Sequence, residues 1–380
     1  MNTVARLLKK MCSATLWFLT GGNLFKQRKE AIFPSGDNHS CPHANLYSRR
    51  EIVKNLAAVP VFGFVFWNMF RNNPEWNSFE ENNLSAAIGG DADAESVKLK
   101  YDVQNKLEGE VPKGSINGVE ISRMIIGGNL VSGFAHSRDL LYTSQLVKQY
   151  HTDEKVIETL FLCENCGINT AILRTDNDTV RILNKYRKRG GNIQWIAQYY
   201  PSPDNMDNVN LAIDNGAVAA FSQGARADSF VSHNRLDVLH DSMEYIRAQG
   251  IPSGVGAHTL NVPITFEREE LKPDFYMKTL HHYNFWSAAT EENRGEIRLN
   301  NWSPDTEETI AFMNQVEKPW IAFKVLAAGA IHPSDGIRYA FEQGADFACV
   351  GMFDFQIIEN SNIVFNMFQE DIPRARPWMG

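Results

Sequence analysis

The chain has 380 residues, with 37 Lys and Arg against 45 Asp and Glu, 43% hydrophobic and 11% aromatic side chains. That length and apolar content suit one large α/β domain with an appendage, and exclude a disordered, collagen-like or coiled-coil chain. The net charge of −8 excludes a general nucleic-acid binder, which needs a basic face against phosphate, and five cysteines are too few for a disulfide scaffold.

Charge is unevenly placed. Residues 1–71 carry ten Lys and Arg against three Asp and Glu, a net +7, and the remainder carries −15. A basic start before an acidic body is the balance of an exported protein. Within that start, Ser48-Arg49-Arg50-Glu51-Ile52-Val53-Lys54 precedes an uncharged run from Leu56 to Phe70. These residues resemble the twin-arginine translocation signal, whose core is S-R-R-x-apolar-apolar-K with an apolar stretch behind it. The resemblance implies the twin-arginine export machinery as a partner and the cell envelope or periplasm as the address. The run of 15 residues contains Pro60 and falls short of the roughly 20 that a spanning helix needs. Cleavage behind it, with Leu84-Ser85-Ala86-Ala87 a weak candidate, and membrane anchoring through 56–70 both stay open. A second short apolar run, 11–25, has no assignment. The predicted organisation is a basic leader over 1–71, a polar linker over 72–115 and a folded domain over 116–370.

From Ile116 onward short apolar runs alternate with helical periods. Ile121–Leu130 is predicted as strand one. Asp153 opens a helix with Val156, Ile157, Leu160 and Phe161 on one face. Strand two is Thr170–Leu173 with a helix over Val180–Lys188, and strand three is Ile193–Gln198 with a helix over Met206–Asn215. Strand four is Val218–Gln223, followed by a helix over Leu236–Gln249. Strand five is Gly254–His258 with a short helix over Phe266–Leu271. Strand six is Phe275–Leu280, and its helix Pro304–Gln315 has Ser303 as the expected cap. Strand seven is Trp320–Leu326 with a helix over Asp335–Gln343, and strand eight is Phe347–Gly351 with a closing helix over Ile357–Phe368. Gly167, Gly190, Gly216, Gly250 and Gly344 stand where helices should end, because glycine accepts the left-handed conformation of a helix stop. Eight such units in about 250 residues predict a (β/α)₈ TIM barrel, preceded by a short hairpin and a non-globular leader. A doubly wound sheet would want G-x-G-x-x-G after strand one, and Gly127-Gly128-Asn129 does not supply it.

Five segments, in order, resemble the aldo-keto reductase superfamily. They are Asn117–Gly127 (NGVEISRMIIG), Cys166–Thr170 (CGINT), Ile251–Gly256 (IPSGVG), Lys324–Ala330 (KVLAAGA) and Ile337–Asn360 with its Val350-Gly351-Met352. The resemblance covers 116–370 and implies a barrel oxidoreductase using a nicotinamide cofactor, NAD or NADP, with an Asp, Tyr, Lys and His tetrad. The tetrad does not carry over. Ile172-Leu173-Arg174-Thr175-Asp176 stands where the family has its Asp and Tyr, Gln198 where it has Lys, and Gln223 where it has His. Met352-Phe353-Asp354-Phe355 is acidic and apolar where a 2′-phosphate would be held, which favours NAD over NADP.

Functional side chains of barrels gather where strands meet the loops that follow. That rule selects His258, Lys278, His281 and Lys324 as candidate acid–base groups. Arg174 would hold a carboxylate or phosphate bidentately, and Asn129, Asp176, Gln198, Gln223 and Asn284 would contact a small-molecule ligand. Gly329, Gly351 and Met352 mark a candidate phosphate or dinucleotide site after strands seven and eight. Each residue alone could equally cap a loop. Lys278 or Lys324, if desolvated, would be a Schiff-base nucleophile; if paired to Asp354 or Asp176, a structural cation. His258, His281 and His282 with Asp176 could supply metal ligands, although adjacent histidines on a strand face opposite ways. Cys163 and Cys166 read as core residues before they read as a redox or metal pair. The segment from His281 to Trp302, with Tyr283, Phe285 and Trp286, is long enough to cover the mouth. Three functions compete: an exported oxidoreductase with an altered site, a non-redox lyase, aldolase or isomerase, and a non-catalytic binding barrel.

Overall fold

An Asn-Gly pair sets the first feature of the fold. Strands β1 (Lys113–Ile116) and β2 (Val119–Ser122) pair antiparallel around Asn117 and Gly118, at φ +48° and +83°, the conformation a two-residue hairpin needs. The computed structural model describes residues 106–135, 140–285, 287–294 and 300–380. The twin-arginine motif, the run 56–70 and most of the linker lie outside the described residues, as does Trp286. Among the described residues, no helix is long and apolar enough to cross a membrane.

Eight parallel strands follow and close on themselves: β3 (Met124–Gly127), β4 (Thr170–Arg174), β5 (Gln194–Tyr199), β6 (Ala217–Ser222), β7 (Ser253–Ala257), β8 (Phe275–Thr279), β9 (Trp320–Phe323) and β10 (Phe347–Val350), with β10 bonded to both β9 and β3. The helices are α1 (Gly128–Val131), α2 (Thr143–Tyr150), α3 (Asp153–Asn165), α4 (Asn177–Lys188), α5 (Asp207–Asp214), α6 (Gly224–Ser232), α7 (Leu236–Ala248), α8 (Asn261–Arg268), α9 (Thr306–Met313), α10 (Pro333–Glu342) and α11 (Asp354–Met367). The expected barrel is therefore present. The predicted strand one falls on three elements, the end of β2, then β3 after a break at Arg123, and then α1 instead of continued strand. Helices α2 and α6 were not anticipated. Asp305, not Ser303, precedes α9; Ser303 is buried and its hydroxyl donates to the Thr279 carbonyl at 3.4 Å. The five glycines at helix ends all adopt positive φ, between +75° and +104°.

Strand alternation sorts the apolar residues into two cores. Ile125, Ile172, Ile196, Phe221, Met277 and Ile321 fill the lumen, and Ile116 and Ile121 of the hairpin plug its N-terminal end. Their neighbours Leu173, Trp195, Ala197, Tyr276 and Trp320 face outward against the helices. Strand β7 is glycine-rich for a steric reason: a Cβ on Gly254 would stand 2.5 Å from the Phe275 ring.

The segment 371–380 seals the same end. Asp346 is fully buried, and Arg376 and Arg374 reach it at 2.6 and 3.4 Å. The Trp320 and Met379 N–H groups donate to the same carboxylate at 2.9 and 2.8 Å. Trp378 lies between the guanidinium groups of Arg123 and Arg374, at 4.0 and 3.3 Å from its ring centre. Removing one partner of a buried ion pair strands the other's charge. Asp346→Ala should therefore lose about 3–5 kcal/mol of stability, read from urea unfolding. A variant unfolding at the wild-type midpoint would show that this network does not hold the tail.

Candidate active site at the barrel mouth

The lumen positions Ile172 and Ile196 fix the parity of β4 and β5, so Arg174 and its register partner Gln198 face the C-terminal mouth. His258 directly follows β7, two strands round the ring from Gln198 and three from Arg174. The α6 helix begins at Gly224, where a Cβ would come within 2.9 Å of the His258 ring, so only glycine leaves the imidazole room. One turn later α6 presents Asp228.

Asp228 and His258 form the most organised polar unit of the mouth. The Asp228 carboxylate receives His258 Nδ1 at 2.9 Å, the Thr259 hydroxyl at 2.9 Å, and the His258 and Thr259 N–H groups at 3.2 and 3.1 Å. Burial opposes the charge on Asp228, but the bond to His258 and the Thr259 donors outweigh it and hold the carboxyl below its usual range. With Nδ1 donating to a carboxylate, Nε2 is the free acceptor, the arrangement of a general base. Burial lowers the His258 pKa, and the Lys324 and Lys278 ammonium groups act in the same direction against the Asp228 bond. Burial therefore favours the neutral imidazole.

Two lysines flank this pair in different ways. Lys324 takes φ +60°, and Ala327, Ala328 and Gly329 follow at +45°, +60° and +92°. Left-handed backbone costs a non-glycine residue about 1–2 kcal/mol, so the turn after β9 holds strain at the mouth. The turn lays the Lys324 amine on the Trp302 ring, 3.3 Å from its centre. Lys278 sits on the other parity of its strand, fully buried. Its amine donates to the His258 carbonyl at 2.9 Å, the Thr279 hydroxyl at 3.0 Å and the Thr279 carbonyl at 3.3 Å, latching β8 to the end of β7. Burial lowers its pKa to about 8. Neither lysine pairs with Asp354 or Asp176, as one expectation held: Asp176 pairs with Arg174, and Asp354 with Lys155.

His281 is buried with both ring nitrogens committed. Nδ1 donates to the His282 carbonyl at 2.9 Å and Nε2 accepts the Trp302 N–H at 3.0 Å, which ties the two ends of the long loop together. His282 turns away toward Asp335, 3.5 Å from its Nε2. Among the described residues, no group of three His, Cys, Asp or Glu converges as a metal site, so the expected ligand set does not assemble. Met352 is fully buried in the outer core, which places its side chain away from any ligand at the mouth; Gly329 and Gly351 are exposed there. The side chains of Gln223 and Asp176 cap α6 and α4, accepting from the Arg226 and Thr179 N–H groups at 2.9 and 2.8 Å. Asn129 and Asn284 are exposed at the rim. Cys163 and Cys166 are buried, and burial raises both thiols.

Reading strand ends could not find Asp228, which lies inside a loop helix. The signal available was the spacing of Ala227, Phe230 and Val231 with Gly224, which is helical. A shallow groove lined by Tyr200, Ser202, Asn205, Asp207, Asn208 and Leu211 lies beyond β5, and its one charged lining residue is Asp207.

No family model matches the chain, and no curated protein matches it. Among solved structures, the barrel is similar to a proposed aldo-keto reductase from Pseudomonas aeruginosa at 15% identity and TM-score 0.49, covering 70% of this chain and 99% of that one. An aldo/keto reductase from Brucella melitensis is similar at 12% identity and TM-score 0.43, covering 70% and 95%. The closed pairing of its eight strands makes the domain a barrel independently of these likenesses.

The buried His281 carries a pH consequence. Burial lowers its pKa from 6.5 to about 4, so the unfolded chain takes up this proton before the folded one does. Its contribution is complete above pH 6.5 and is lost as pH falls toward 4, about 3 kcal/mol in all. Melting curves from pH 7 to pH 4 should show stability falling through this window, with a shallower slope in His281→Asn. Equal slopes in the two proteins would remove His281 as the cause.

Proposed function

We propose that this protein is an aldo-keto reductase-like barrel enzyme that transfers a proton to or from a small-molecule substrate at its C-terminal mouth. The Asp228–His258 pair carries the reading. His258 Nε2 takes or returns the proton, and Asp228 holds the tautomer and offsets the imidazolium that forms. The Lys324 ammonium, fixed on Trp302, stabilises negative charge that develops as the proton leaves. Lys278 orders the His258 backbone and His281 the loop above it, so both are positioning residues in this scheme. A lysine nucleophile is disfavoured at Lys278, whose amine is spent on three acceptors.

The oxidoreductase reading implied by the five segments remains the second member of this proposal, because the same pair can deliver the proton that accompanies a hydride. The cofactor it requires is a nicotinamide dinucleotide, which would supply that hydride when bound. The start of α11 fits NAD better than NADP: Asp354 stands in the first turn, and the nearby cation Lys155 already pairs with Asp354 and Glu158, at 3.2 and 2.9 Å. A 2′-phosphate there would meet a carboxylate and a neutralised lysine. Gly351 and Gly329 border the mouth on the side such a group would occupy. Export to the cell envelope, through the Ser48–Lys54 motif, belongs to the same proposal and is supported by the charge contrast between leader and body.

Hydrogen exchange at carbon acids tests the proton-transfer step. Pyruvate, 2-oxoglutarate and glyceraldehyde would be incubated in D₂O with the purified protein and followed by proton NMR. The wild type should accelerate exchange of at least one probe, and His258→Asn should lower that rate by about 10²–10⁴. Asp228→Asn should lower it as well. No acceleration across the panel, or full activity in a folded His258→Asn, would sink the reading. A nicotinamide dinucleotide found on the purified protein by native mass spectrometry would move the balance to the redox form.

A further inference from the structure

Arg174 is held on three sides and left open on the fourth. Its Nε lies 2.7 Å from Asp176 Oδ2, angled as an ion pair more than as a straight hydrogen bond. Asp176 is itself immobilised as the cap of α4. The guanidinium carbon lies 4.9 Å from the centre of the Phe134 ring and 5.7 Å from that of Tyr200. The Tyr200 side of the clamp is fixed from below: Asn208 accepts the Tyr200 N–H at 2.8 Å and donates to the Thr175 carbonyl at 2.9 Å, tying the ends of β4 and β5 together. Among the described residues, neither Nη nitrogen of Arg174 has a hydrogen-bond acceptor.

A guanidinium offers two bidentate edges, a side edge through Nε and an end edge through both Nη groups. Asp176 takes the side edge. The end edge is free, its plane fixed by two rings, so little side-chain entropy would be lost when an acceptor arrives. We propose that this end edge receives the carboxylate of the substrate, a reading that rests on the proton-transfer function above. Charge favours a carboxylate over a phosphate. Asp176 already neutralises much of the guanidinium, and a dianion would sit beside that carboxylate, whereas a planar monoanion matches the two parallel N–H groups. Topology adds a second constraint. Arg174 ends β4 and His258 follows β7, three strands away around the ring of eight, so one ligand touching both must span the mouth. The substrate class is then an organic acid whose carboxylate is remote from the carbon that exchanges its proton.

Titration calorimetry at pH 7 and constant ionic strength tests the site, with glutarate and inorganic phosphate as the probes on the full chain. Wild type should bind glutarate, and bind phosphate more weakly. Arg174→Lys and Arg174→Gln should both weaken glutarate by about tenfold or more, because lysine keeps the charge but loses the fork. Phe134→Ala, at an exposed position, should weaken it by a smaller factor of about two to five, since it removes one wall of the clamp. Retained glutarate affinity in Arg174→Lys, tighter binding of phosphate, or no saturable heat with the wild type would each overturn the proposal. Carbon-acid exchange, read on the same Arg174 variants, separates the two readings. Loss of the anion site with His258-dependent exchange intact would therefore refute this inference alone, while glutarate binding without exchange would refute only the proton-transfer reading.

Discussion

Closure of the parallel sheet between β10 and β3 satisfies the last free strand edge and, in doing so, dictates which side chains may be polar. Once the ring is closed, alternate residues of every strand face a lumen too narrow for anything but packed side chains. Ile125, Ile172, Ile196, Met277 and Ile321 occupy it, and the hairpin closes its floor. Polar groups can then converge only beyond the packed layers, and at the C-terminal rim the last inward residue of a strand has no layer above it. Arg174, Gln198 and His258 stand there for that reason.

Burial within this frame separates residues that look alike in composition. Lys278 and Lys324 both sit at the C-terminal side of apolar strands, yet one is a buried latch with its amine spent on three acceptors and the other lies on an aromatic ring at the mouth. His258 and His281 diverge in the same way. A carboxylate orients His258 and leaves one nitrogen open, whereas two backbone groups consume both nitrogens of His281. An ionisable group with every hydrogen-bonding position filled rigidifies its surroundings; one with a position left over can react.

The two ends of the barrel accordingly do different work. At the N-terminal end, Asp346 gathers Arg374 and Arg376, with Arg123 stacked on Trp378 beside them, in a buried network. At the C-terminal end, a left-handed run through Lys324, Ala327 and Ala328 stores strain on the same rim as His258. Stability is concentrated where nothing need move. Strain and open valence are concentrated where a ligand would enter.

Much of this was legible in the residues. Alternation of apolar runs with helical periods, punctuated by Gly167, Gly190, Gly216, Gly250 and Gly344, determines a (β/α)₈ barrel, because those signals are local and each depends on a few neighbouring residues. The strand-end rule also placed Arg174, His258 and Lys324 at the C-terminal ends of their strands, where the structure has them. Asp228 was out of reach, since it meets His258 across 30 positions of chain and on a helix whose period is short. The parity of Lys278, the commitment of His281 and the burial of Met352 were equally hidden. A one-residue shift in register turns a side chain from lumen to helix layer, and only the closed sheet sets that register. Composition and spacing decide what kind of structure this chain makes; three-dimensional pairing decides which of its polar groups are left free to act.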